Sequence, residues 1–180
     1  MQTDFGSLRI LLPLRRRNVL ISLFLAYLLN CVPSGPVLFV PDWLALVLCF
    51  WVIRQAPFAN MSTAFILGLL MDVANGAVLG QHTFAYVLLA YLATLVAPRL
   101  LWLRVAQQGV LVWPLLTATQ LSAAAIGILA GGSFPSWTYF MGPFIAALLW
   151  PLLTYLLLLP QFAPALHDEN RPIHISKLPR

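Results

Sequence analysis

GLLMDVANGAVLG, residues 68–80, sets a single carboxylate inside a long apolar run. Gly68, Asp72, Gly76 and Gly80 follow one another at intervals of four residues. That interval is close to one helical turn, so on an unbroken helix the four would share a face. Glycines in such a row let a second helix approach closely. Asn75-Gly76, however, is a strong turn dipeptide. If the helix ends there, the glycines form a tight turn and Asp72 accepts the N–H groups that the break leaves free. The turn chemistry favours this second reading. In either case the aspartate serves as a structural or contact device rather than a substrate ligand.

The rest of the chain explains why a carboxylate is conspicuous. Of 180 residues, 61% are hydrophobic and 8% are charged, against about a quarter charged in a soluble domain. Such a chain cannot cover a globule with water-seeking groups, so most of its surface faces lipid. The net charge of +5 comes from basic residues scattered between apolar blocks. No basic groove interleaved with aromatics is present, which excludes a nucleic-acid partner. Cys31 and Cys49 lie in apolar segments, where cysteine behaves as a small hydrophobe. His82, His167 and His174 lack metal-ligand spacing, and no cofactor is expected.

Hydropathy and punctuation predict six transmembrane helices in one all-α bundle. They fall at about 19–33, 43–53, 58–74, 83–96, 105–130 and 137–159, with the fifth kinked at Pro114. The first is an uncleaved span, and the second is short for a bilayer of about 30 Å. Pro41 suits a first helical turn, and Asp42 suits the positive end of a helix dipole. Six spans place every Lys and Arg on one side; the opposite loops, near 33–42, 75–82 and 131–136, hold none. By the positive-inside rule both termini are then cytoplasmic. The chain reads as a single membrane domain over 1–180, with a basic segment at 1–17 and a flexible polar tail at 161–180. The run Arg15-Arg16-Arg17 reads as an anchor to anionic headgroups. Trp43, Trp51, Trp102, Trp137 and Tyr139 are expected at the interfaces, and Trp113 and Trp150 between helices.

Fifteen residues separate Pro57 from Asp72, which lifts the carboxylate about 22 Å above the cytoplasmic end of a helix. Aspartyl chemistry needs two carboxylates sharing a water, and only Asp42 and Asp72 are candidates. The motifs of lipoprotein signal peptidase and of presenilin-like proteases are both missing, so the chain is not expected to be an enzyme. Gln120, with Thr117 nearby, can bridge helices through its amide. Ala123, Gly127 and Gly131 repeat a small-residue spacing.

Pro41-Asp42-Trp43, the Phe50-Trp51 end of the second span and AFILGLLMDVANGAVLGQH at 64–82 together resemble the rod shape-determining MreD family. Length, span count, basic start and short tail agree with that resemblance. It implies a scaffold in the bacterial inner membrane, part of the cell-elongation complex and without catalytic activity. Such a scaffold binds the single-span protein MreC and works with the actin-like MreB and the peptidoglycan synthases that extend the lateral wall. It also implies a fold similar to the S components of energy-coupling-factor transporters. A small-solute-binding transporter component is therefore the alternative, with Asn30, Asp72, Asn75, Gln81, His82 and Gln120 as its polar lining. The structural or partner-contact candidates are Pro41, Asp42, Trp51, Gly68, Asp72, Gly76, Gly80 and Gln120.

Overall fold

A computed structural model describes residues 16–32, 41–54, 56 and 59–159. All regular structure among them is helical: α1 (Arg16–Cys31), α2 (Trp43–Ile53), α3 (Met61–Ala74), α4 (Gln81–Leu100), α5 (Val105–Leu129) and α6 (Met141–Leu158), with a 3-10 turn at Trp137–Phe140 leading into α6. Residues 1–15 of the expected basic segment and the polar tail at 161–180 lie outside the described residues, while Arg16 and Arg17 open α1. Gln81–Leu100, Val105–Leu129 and Thr138–Leu158 are long and apolar enough to cross a membrane. The other helices are shorter.

Local chemistry accounts for the helix ends. Asp42 accepts the Ala45 N–H at 2.9 Å and so caps α2. Asn60 does the same for α3 through Thr63 at 3.1 Å, which moves that start to Met61, four residues past Pro57. Asp72 is thus only about 16 Å along α3, not 22 Å. α3 ends where the turn dipeptide predicts. Gly76 takes φ +59°, and the Ala77 N–H reaches the Asp72 carbonyl at 2.9 Å while the Gly76 N–H reaches that of Val73 at 3.3 Å. This paired closure satisfies carbonyls that the helix end orphans. The four-residue row of glycines is therefore not one helical face. α4 runs through Pro98-Arg99 to Leu100, and α5 continues as one helix through Pro114.

Consecutive helices run antiparallel, so α1, α3 and α5 end where α2, α4 and α6 begin. Ten of the eleven α2 residues are buried, because α2 packs against α1, α4 and α6. This short helix is the centre of the bundle. Trp51, expected at an interface, is 1% exposed; its indole donates to Ser22 Oγ at 2.8 Å and its ring meets Phe50 edge-on. Trp150 packs between helices as expected, donating to Gln108 Oε1 at 3.1 Å. Trp113 departs from expectation, lying half exposed with its edge toward Phe144. Trp102 is almost fully exposed.

Candidate functional site

Both carboxylates among the described residues lie at the same end of the bundle. Asp72, the last-turn residue of α3, is completely buried and faces the first turn of α4. Its Oδ2 accepts the Gly80 N–H at 2.9 Å, the Thr83 N–H at 3.3 Å and the Thr83 hydroxyl at 2.8 Å. Its Oδ1 accepts the His82 N–H at 2.7 Å and lies 2.9 Å from His82 Nδ1. Gly80 occupies the N-cap of α4 at φ +104° and has no side chain to offer. The neighbouring helix therefore supplies the capping oxygens, and its negative charge sits at the positive end of the α4 dipole.

Gly68 makes this arrangement possible one turn earlier. A Cβ there would lie 2.4 Å from Thr83 Cα and 2.8 Å from the His82 carbonyl oxygen. Only hydrogen fits, so α4 starts directly against α3 and within reach of Asp72. Gly76 and Gly80 have open space around them; their part is backbone conformation.

Asp42 forms the second node. Besides capping α2, its Oδ1 accepts Asn30 Nδ2 at 2.7 Å and its Oδ2 accepts the Tyr86 hydroxyl at 2.8 Å. Asn30 Oδ1 in turn accepts the Trp43 N–H at 2.9 Å. One side chain thus joins α1, α2 and α4. The two carboxylates hold separate donor sets, with no donor shared. Among the described residues no group of three His, Cys, Asp or Glu side chains comes together, and both cysteines are free thiols.

Residues of both nodes line a cavity of about 480 Å³. Asn30, Pro41 and Asp42 form one wall, Asn75, His82 and Tyr86 another, and Thr119, Gln120 and Tyr139 a third. Gln120 Nε2 donates to the Tyr139 carbonyl at 2.9 Å, tying α5 to the turn before α6. Four of the six expected polar lining residues are present. Asp72 is sealed behind His82, and Gln81 lies in a separate cleft beside Gly127. Of the eight contact candidates, Pro41, Asp42 and Gln120 meet at the cavity, Gly68, Asp72, Gly76 and Gly80 build the α3–α4 turn, and Trp51 lies away from both. Tyr86 and Thr83 were not singled out from sequence, and Tyr139, expected at an interface, lines the cavity. Tyr86 carried a usable signal, since a tyrosine inside an apolar helix needs a partner for its hydroxyl.

A model of the rod shape-determining protein MreD family matches residues 15–159. The rod shape-determining protein MreD of Haemophilus influenzae is 30% identical over 122 residues, covering 66% of this chain and 74% of that protein. No solved structure matches the chain. The matched span contains all six helices, both carboxylate nodes and the cavity, and the chain belongs to the MreD family of rod shape-determining membrane proteins.

Proposed function

We propose that this protein is a scaffold without catalytic activity in the bacterial inner membrane, crossing it six times with both termini cytoplasmic. In this reading it binds an MreC-like single-span partner and, with MreB and peptidoglycan synthases, helps position lateral wall synthesis. Family membership over 15–159 carries the proposal. The geometry supports it: the polar side chains are spent on joining helices, while α1, α3 and α6 carry exposed Phe24, Phe65 and Phe144 as surface for lipid or a partner helix. The single domain takes in the whole chain, with the basic start and polar tail as cytoplasmic extensions. Depletion in a rod-shaped host should round the cells, and detergent extraction should recover the single-span partner with the protein. Rods that persist, with no partner recovered, would overturn the scaffold.

A second reading has its own observation. The cavity, with Asn30, Asn75, His82 and Gln120 on its walls, is what a small-solute-binding component would require. Native mass spectrometry of the purified protein separates the readings: a bound solute supports the second, and partner without solute supports the first.

A further inference from the structure

We propose that the cavity binds an ammonium group, held between the Asp42 carboxylate and the rings of Tyr86 and Tyr139. This deepens the solute-binding reading by naming the ligand's chemistry, and it does not depend on the scaffold. All three side chains line the cavity. Asp42 is only partly buried, and its three hydrogen-bond partners, the Asn30 amide, the Ala45 N–H and the Tyr86 hydroxyl, are all neutral. A carboxylate offers about four acceptor positions, so room for another donor remains on Oδ2. Its negative charge has no cation beside it among the described residues, where the ion-pair contact present joins Asp72 to His82.

The distribution of charge excludes the opposite ligand class. Arg16, Arg17, Arg54, Arg99 and Arg104 all lie at the far end of the bundle, at the start of α1, the ends of α2 and α4, and the start of α5. No lysine or arginine lines the cavity, so an anionic ligand would meet the Asp42 carboxylate without a counter-charge. A cation meets Asp42 in a cavity that Tyr86 and Tyr139 also line, and an aromatic ring attracts a cation placed over its face within about 6 Å. A low-dielectric surround strengthens both attractions. His82 lines the cavity too, but its Nδ1 is engaged by Asp72.

The ammonium could belong to a free solute or to the ethanolamine headgroup of a lipid, and the test has an arm for each. Full-length protein in detergent is titrated calorimetrically with choline, with ethanolamine and with 3,3-dimethylbutan-1-ol, the neutral isostere of choline. The cations should bind at least tenfold more tightly than the isostere. Asp42→Asn keeps an oxygen that can cap α2 and should weaken cation binding at least tenfold. Tyr139→Leu should weaken it several-fold and serves if Asp42→Asn melts early. In parallel, protein from nanodiscs of phosphatidylethanolamine or of phosphatidylglycerol is examined by native mass spectrometry. Selective retention of phosphatidylethanolamine, lost in Asp42→Asn, assigns the headgroup; cation binding without lipid retention assigns a free solute. An isostere that binds as tightly as choline overturns the ammonium assignment and leaves solute binding standing. No binding of either cation and no lipid selectivity overturns the site.

Discussion

Asp72 and Gly68 show how one side chain and one missing side chain act together. Replacing Asp72 by Leu would leave the Gly80, His82 and Thr83 N–H groups without an acceptor, at about 1–3 kcal/mol for each donor kept from water. Asp72→Asn retains one acceptor oxygen. We expect Asp72→Asn to accumulate in the membrane with a lowered melting temperature and Asp72→Leu not to accumulate, as read by fluorescence-detected size-exclusion chromatography. Equal damage from both would show that charge matters more than the placement of oxygen. The glycines separate by mechanism. Gly68→Ala drives a Cβ into α4 backbone and should cost about 1–3 kcal/mol. Gly76→Ala meets no atom and should cost only about 1–2 kcal/mol for its left-handed conformation. Thermal melts of the two variants should rank them in that order, and Gly76→Asn should melt above Gly76→Ala.

At the scale of elements, α2 decides how the bundle is organised. Eleven apolar residues give a helix of about 16 Å, about half of a hydrocarbon layer of some 30 Å. Being enclosed by α1, α4 and α6, α2 meets protein rather than lipid over almost its whole surface. A truncation there should therefore behave as a core substitution. Leu46→Ala, at a fully buried position, should cost about 2–5 kcal/mol. Leu148→Ala on α6, 72% exposed, should stay within about 0.5 kcal/mol. Chemical unfolding in mild detergent, with tryptophan fluorescence as the readout, compares them directly. Similar losses at the two sites would contradict the central place of α2. Hydropathy could place the helix to the residue, yet it could not see this enclosure.

For the whole molecule, charge is segregated along the bundle axis. Among the described residues, five arginines occupy one end, and Asp42 and Asp72 the other. The same asymmetry, read along the sequence, predicts which end faces the cytoplasm. In a Cys31→Ser background, Leu79→Cys should react with an impermeant maleimide in spheroplasts, whereas Trp102→Cys should react only after permeabilisation. Both positions are well exposed, so labelling reports sidedness rather than burial. The reverse pattern would invert the proposed topology and place the cavity on the cytoplasmic side.

The sequence by itself determined the approximate positions of the helices, the place of Asp42 at the start of α2, the turn at Asn75-Gly76 and the separation of charge. These depend on neighbours within a few residues: a capping oxygen, a glycine at positive φ, a proline, a basic flank. Only the tertiary structure decided which apolar surfaces meet protein and which remain outside. Trp51, Trp113 and the residues of α2 are equally greasy in sequence, and lipid is as apolar as a helix interface, so hydropathy cannot sort them. The same holds for the site. Asp42 and Asp72 were legible as unusual charges, but Tyr86 lies 44 residues from Asp42 and Gln120 is 19 from Tyr139. Their meeting around one cavity follows from Gly68 letting α4 start against α3 and from α2 filling the centre of the bundle.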